Sequence, residues 1–102
     1  MPRSRPYKTG LNERLKNPEY AAAYLNAVID EPREVFLLAL RDVAEAHKFS
    51  RVAAAAGVNR ETLYRTLSAR GNPTLGTYRS VLKALGVAEI FQAQPRGRVS
   101  KR

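Results

Sequence analysis

The chain has 102 residues, 44% of them hydrophobic and 26% charged, which is the composition of one globular domain with a modest core. It contains no cysteine and one histidine, which excludes disulfides, thiolate nucleophiles and zinc sites built from Cys and His ligands. Lys and Arg outnumber Asp and Glu by 18 to 9, and the net charge of +9 predicts a polyanionic partner.

The charge is unevenly distributed along the chain. The net charge is +4 over residues 1–16, −3 over 17–48, +5 over 50–86 and +3 over 87–102. This pattern predicts two faces for two kinds of partner, although solvated helix surfaces explain it equally well. No apolar run approaches the roughly 20 residues that span a bilayer, and the N-terminal MPRSRPYKTG lacks the apolar core of a signal peptide. We therefore expect a cytoplasmic protein with no membrane partner.

Two amphipathic helices are predicted before residue 48, after a flexible basic segment at 1–16. Asn17 is a good N-cap for the first helix, with Pro18 at its first helical position. The apolar stripe of this helix is predicted to comprise Tyr20, Tyr24, Ala27 and Val28. The second helix is predicted from Pro32 to about His47, with Phe36, Leu40, Val43, Ala44 and His47 on one face. We expect a structural role for His47, because no partner for acid–base chemistry is evident.

A helix-turn-helix is predicted from about Phe49 to Ser68. Ser50 is expected to cap a short Ala-rich helix, which Gly57 ends by taking a left-handed conformation. Asn59 is expected to cap a second helix that reaches Ser68. The internal positions meet the steric needs of the motif: small Ala53 at the closest approach, Val58 between the helices, and Leu63 and Leu67 directed inward.

A last helix is predicted after the turn at 69–73. Thr74 is its N-cap, Gly86 is its C-terminal stop, and its apolar face comprises Leu75, Tyr78, Val81, Leu82 and Leu85. After Gly86, the run Val87, Ile90 and Phe91 is expected to pack or to form a brief strand. The fold is therefore predicted as all-α, with five helices in one domain at 17–91 and a flexible basic tail at 92–102.

If the second motif helix enters a major groove, its N-terminal and outer residues reach the base edges. The candidates for base reading are Arg60, Glu61, Tyr64 and Arg65. Arg suits guanine and Glu suits cytosine N4, but Glu61 is equally placed to pair with Arg65 four residues later. The candidates for contacts to the DNA backbone are Ser50, Arg51, Asn59, Thr62, Gly71 and Asn72.

Three stretches, AYLNAVIDEPREVFLLAL, GVNRETLYRTLS and GNPTLGTYRSVLKALG, resemble the addiction-module antidote (antitoxin) proteins. These form a HigA-like branch of the XRE superfamily of Cro/repressor-like helix-turn-helix proteins. The resemblance covers residues 23–86 and implies a five-helix Cro/repressor-like domain with an added N-terminal helix. It also implies an autorepressor that binds palindromic double-stranded operator DNA as a homodimer and neutralises a RelE/ParE-like toxin.

A toxin of that kind must bind RNA and so tends to be basic, which predicts docking on the acidic helices within 17–48. The candidate anchors are Tyr20, Tyr24 and Leu25, because Tyr is favoured at interface centres. The four-residue spacing of the two tyrosines fits a core position equally well.

Other functions remain open at this point. A stand-alone transcriptional regulator of the XRE superfamily needs the same motif, and an RNA-binding basic module needs the same charge. An enzyme is not expected, because no paired carboxylates, no nucleophile with a base and no phosphate-binding Gly-rich loop occur at a productive spacing. No cofactor is expected either.

Overall fold

The computed structural model describes residues 5–94, with side chains from Gly10 onward. These residues form an all-α structure, and no strand occurs among them. Six helices follow one another, α1 (Arg5–Leu15), α2 (Pro18–Asn26), α3 (Arg33–Ala46), α4 (Phe49–Ala55), α5 (Arg60–Thr66) and α6 (Leu75–Leu85). The predicted all-α class is therefore confirmed, with one helix more than expected.

The additional helix is α1, in the segment that was predicted to be flexible. Leu11 and Leu15 lie four residues apart, on one face of a helix, and are 2% and 0% exposed. They pack where α1 contacts α2 and α3. Burial of two leucines stabilises a segment whose charge had suggested a solvated arm. Residues 1–4 and 95–102, including most of the predicted basic tail, lie outside the described residues.

Helix α2 begins as predicted and turns a partly different face to the core. The Asn17 Oδ1 accepts hydrogen bonds from the Glu19 and Tyr20 amides, at 2.8 and 3.4 Å. The buried residues are Ala21 and Leu25, whereas Tyr20 and Ala27 are exposed. The predicted stripe is thus confirmed only in part, since Tyr24 and Val28 are half-buried against the core and the fully buried positions are Ala21 and Leu25.

Helix α3 lies at the centre of the fold and contacts α1, α2, α4 and α6. Its predicted face is confirmed at Leu40, Val43 and Ala44, which are all fully buried. His47 follows the helix, and its Nε2 donates a hydrogen bond to the Leu15 carbonyl oxygen at 3.0 Å. The histidine side chain therefore joins the ends of α1 and α3.

Helix α6 closes the core from the C-terminal side. The Thr74 Oγ1 accepts from the Thr77 amide at 3.1 Å, so the predicted cap is confirmed. Val81, Leu82 and Leu85 are buried, but Leu75 is 57% exposed because it lies at the first residue of the helix, beyond the core. The predicted strand after Gly86 is absent, and its apolar residues Ile90 and Phe91 are 83% and 90% exposed.

Candidate nucleic-acid interface

Helices α4 and α5 pack against each other across the turn at 56–59. Ala53 is 2% exposed, so its methyl side chain lies in the packed interior where the sequence predicted a close approach. Gly57 has φ +76°, the left-handed conformation that was predicted for the turn, and the Val58 amide then bonds the Ala53 carbonyl at 3.1 Å. The N-cap of α4 differs from the prediction: it is Lys48, with φ +68°, and Ser50 lies within the helix.

Helix α5 is held with a defined orientation. The Asn59 Oδ1 accepts from the Thr62 amide at 2.7 Å, as predicted, and Leu63 and Leu67 are completely buried. The helix itself ends at Thr66, with Leu67 as its C-cap rather than Ser68 as its last residue. Arg60, Glu61 and Arg65 of this helix are exposed. Three of the four predicted base-reading residues are therefore accessible to solvent.

Tyr64, the fourth, is directed toward the interior. Its ring stacks on Phe49 of α4 with centroids 4.3 Å apart, and its hydroxyl donates to Glu45 Oε2 of α3 at 3.0 Å. Partial burial, together with the hydrogen bond to the Glu45 carboxylate, raises the pKa of Tyr64 above the usual 10.0. The hydroxyl therefore stays protonated and continues to donate at neutral pH. The prediction that Tyr64 reads bases does not fit this geometry.

The predicted backbone contacts divide into two groups. Ser50 and Arg51 are exposed on α4. Gly71 is buried, and its amide already donates to the Ser68 carbonyl at 2.8 Å, which leaves it unable to donate to a phosphate. Asn72 is exposed, and its Oδ1 accepts from Arg33 Nη1 at 3.3 Å. Glycine is required at 71 by a close approach, since a Cβ there would lie 1.8 Å from the Thr66 carbonyl oxygen.

A shallow depression of about 350 Å³, with both polar and apolar lining surface, lies at the C-terminal end of α5. Its lining residues are Arg65, Thr66, Ser68, Arg70, Gly71 and Asn72. Arg51, Arg60, Arg65 and Arg70 are all exposed, and Glu61 is the acidic residue among them. This excess of guanidinium groups favours an anionic partner for the α4–α5 surface.

Comparison with known protein families matches residues 7–93 to one described as "probable addiction module antidote protein". The chain belongs to this antidote family. It is also 43% identical, over 83 residues, to an uncharacterized protein of Haemophilus influenzae, an alignment that covers 80% of this chain and 84% of that protein. No solved structure matches the chain. An antidote is defined by its toxin, so membership implies a cognate toxin partner and a regulatory role.

The three residues that were predicted as toxin anchors of the antidote lie in different environments. Tyr20 is 38% exposed, and its hydroxyl accepts from Arg14 Nε at 3.3 Å. Tyr24 is half-buried and donates to Asp42 Oδ2 at 2.7 Å. Leu25 is 6% exposed and belongs to the hydrophobic core. Of the three, Tyr20 alone offers a large exposed apolar surface.

One residue near the antidote's basic surface was not expected from sequence. Arg41 of α3 is half-buried, with its guanidinium carbon 5.2 Å from the centroid of the Tyr64 ring. The guanidinium carbon of Arg60 lies 5.8 Å from the same centroid. Pairing between α3 and α5 depends on tertiary packing, so no local pattern could have indicated it.

Among the described residues, no helix is both long and apolar enough to cross a membrane.

Proposed function

We propose that this antidote is the antitoxin of a type II toxin–antitoxin pair and represses its own operon. In this account, α4 and α5 form a helix-turn-helix within a Cro/repressor-like domain that comprises α2 to α6, with α1 added at the N-terminus. The protein binds double-stranded operator DNA as a homodimer and neutralises a RelE/ParE-like toxin. We assign the antidote family to the HigA-like branch of the XRE superfamily.

One observation carries the DNA-binding part of the proposal. The buried Leu63 and Leu67 fix one side of α5 against the core, and Arg60 and Arg65 of the same helix are exposed to solvent. A helix fixed in this way presents its polar face to a major groove without further rearrangement. Each arginine is able to donate two hydrogen bonds to guanine, and Glu61 is able to accept one from cytosine N4.

Contacts to the DNA backbone are assigned to the exposed polar residues of α4. Ser50 and Arg51 lie in its first turn, and both are exposed. Asn59 and Thr62 are assigned weaker contacts to the DNA backbone, because the Asn59 side chain is already hydrogen-bonded to the Thr62 amide. Phosphate contacts of this kind set the register of the protein on DNA and carry no sequence information.

The toxin-binding surface is assigned to the acidic stretch at 17–48, which has a net charge of −3. Charge complementarity steers a basic toxin to this region and away from α5. Tyr20 is the proposed anchor, since aromatic side chains with exposed apolar area contribute strongly at interface centres.

The test is a growth-rescue assay with the toxin gene that neighbours this one. Co-expression of the wild-type antidote is expected to restore growth, and Tyr20→Ser is expected to weaken rescue without loss of folding. Leu75→Ser is the matched control, because Leu75 is 57% exposed and lies outside the acidic stretch. Failure of the wild-type protein to rescue would contradict the antitoxin role, and full rescue by Tyr20→Ser would place the toxin elsewhere.

A further inference from the structure

Side chains from three helices converge beside the N-terminal end of α5. Arg41 and Glu45 lie one helical turn apart on α3, Phe49 begins α4, and Tyr64 and Arg60 belong to α5. Tyr64 is at the centre: one ring face stacks on Phe49, and its hydroxyl is bonded to Glu45. The ring is thus fixed at both ends, and its position is independent of any ligand.

Both arginines lie within the distance at which a guanidinium is attracted to an aromatic ring, about 6 Å from the centroid. Two like charges at one ring repel each other, and Glu45 is the one carboxylate that the described contacts place against this ring. An anion that binds beside this ring is attracted by both guanidinium groups. A phosphate accepts hydrogen bonds from planar guanidinium groups in the geometry that they prefer.

The half-burial of Arg41 favours the same conclusion. The side chain is partly covered and its guanidinium already lies over the Tyr64 ring, so it loses less conformational freedom on binding than a fully exposed arginine does. Its guanidinium lies on the same ring as that of Arg60, one of the exposed residues of α5. A DNA strand that passes Arg60 therefore comes within reach of Arg41.

We propose that Arg41 of α3 binds a phosphate of the operator, and that Tyr64 is the positioning residue that holds Arg41 and Arg60 for this contact. The inference rests on the proposed DNA-binding function. It extends the DNA-binding surface beyond α4 and α5 to the preceding helix, and it gives Tyr64 a role in place of base reading.

The experiment measures binding of the full chain to a labelled duplex that contains the DNA upstream of its operon, at several salt concentrations. Arg41→Gln is expected to lower the affinity of the dimer about 100-fold and to reduce the slope of log K against log salt by about 2, because each of the two subunits neutralises one phosphate fewer. The same loss is expected on unrelated DNA, because phosphates are common to all sequences.

Arg14→Gln is the matched control. Arg14 belongs to α1, and its guanidinium carbon also lies over a tyrosine ring, 5.6 Å from the centroid of Tyr20. The Arg14→Gln substitution therefore removes the same charge and the same kind of stacking from another surface. It is expected to leave the salt slope unchanged. Equal slopes for the wild-type protein and Arg41→Gln would overturn the inference while the DNA-binding proposal stands. Absence of wild-type binding would overturn both.

The role of Tyr64 is tested by Tyr64→Leu, which removes the ring, and by Tyr64→Phe, which keeps it. Tyr64→Leu is expected to reduce the salt slope as Arg41→Gln does, and addition of Arg41→Gln to it is expected to cause little further loss. Tyr64→Phe is expected to retain most of the slope, and it remains informative if Tyr64→Leu lowers the melting temperature. Additive losses in the double variant would contradict a positioning role.

Discussion

Tyr64 connects three helices through the two ends of one side chain. Its ring contributes apolar contact with Phe49, and its hydroxyl donates to the carboxylate of Glu45. A hydrogen bond to a charged acceptor is stronger than one between neutral groups, and partial burial limits competition from water. The orientation of α5 relative to α3 therefore depends on this residue as well as on the buried leucines.

Tyr64→Phe is expected to lower the free energy of unfolding by about 1–2 kcal/mol, because it removes a hydrogen bond to a charged, half-buried partner. The raised pKa of Tyr64 sets the pH dependence. The contribution of the hydroxyl is complete below pH 10 and is lost as the pH rises through the pKa of the folded state, when tyrosinate faces a carboxylate. Urea unfolding at pH 8 and at pH 11 measures this difference.

Tyr20→Phe provides the comparison for that measurement. The Tyr20 hydroxyl is hydrogen-bonded to Arg14 at an exposed position, so its removal is expected to cost less. An equal cost for the two variants at pH 8 would contradict the account of Tyr64. A loss of unfolding free energy in Tyr64→Phe that does not become smaller above pH 10 would also contradict it.

For α5, the sequence predicted the buried side chains correctly where they are aliphatic and incorrectly where the side chain is aromatic. Leu63 and Leu67 were correctly predicted to be buried, since two leucines four residues apart share one face of a helix and that face packs on the core. Tyr64 lies next to Leu63, and its amphipathic side chain fits an outer or an inner position. Its acceptor, Glu45, is 19 residues earlier in the chain, and such a long-range pair leaves no signal in one sequence.

At the scale of elements, the helical pair α4–α5 depends on two small residues. Ala53 allows the packed contact of α4, and Gly57 takes a conformation that a side chain would strain. A third small residue, Gly71, allows the chain to pass against the backbone at the end of α5. These three positions fix where α5 begins, where it ends and how closely it approaches the core.

Ala53→Leu is expected to cost about 1–3 kcal/mol of stability by overpacking, and DNA binding should fall with the melting temperature. Ala54→Leu is the control, since Ala54 is exposed on the same helix and should tolerate the larger side chain. Reduced DNA binding with an unchanged melting temperature in Ala53→Leu would mean that Ala53 faces the nucleic acid.

Gly71→Ala is expected to be more damaging than Gly57→Ala. At Gly57 a Cβ meets nothing within 4 Å, so the cost is conformational, about 1–2 kcal/mol. At Gly71 a Cβ would overlap the Thr66 carbonyl. That carbonyl is part of the backbone, so the backbone itself must move to make room. Thermal unfolding of the two variants measures the difference, and equal losses would contradict the close approach.

Local chemistry predicted the helix ends well and the helix faces less well. The caps Asn17, Asn59 and Thr74 are confirmed, because each side chain bonds an amide within three residues. Helix α1 was missed because its charged residues obscured Leu11 and Leu15, which become informative only with α2 and α3 packed against them. The start of α4 also escaped prediction, since Lys48 is not a typical residue for a positive φ.

For the whole molecule, the separation of charge is the main guide to function. The basic α4–α5 surface suits a polyanion, and the acidic stretch at 17–48 suits a basic protein. In the proposed account α3 takes part in both interactions, because its acidic residues belong to the stretch proposed for the toxin and its Arg41 to the surface proposed for DNA.

Binding to operator DNA is expected to weaken steeply with salt. Neutralised phosphates release counterions, and a dimer that makes about 6–10 phosphate contacts loses about 10³- to 10⁵-fold in affinity between 50 and 200 mM salt. Fluorescence anisotropy of the wild-type protein on its upstream DNA measures the slope. Affinity indifferent to salt would contradict a phosphate-based interface.

The most direct test of the central claim, that the outer face of α5 reads operator DNA, is competition between the operator and a scrambled duplex of equal length. The wild-type protein is predicted to prefer the operator. Arg60→Ala and Arg65→Ala should each cost about 1–3 kcal/mol on the operator and remove much of that preference, whereas Arg51→Ala should weaken both duplexes alike. A wild-type protein that binds both duplexes equally, or an unchanged preference in all three variants, would contradict the claim.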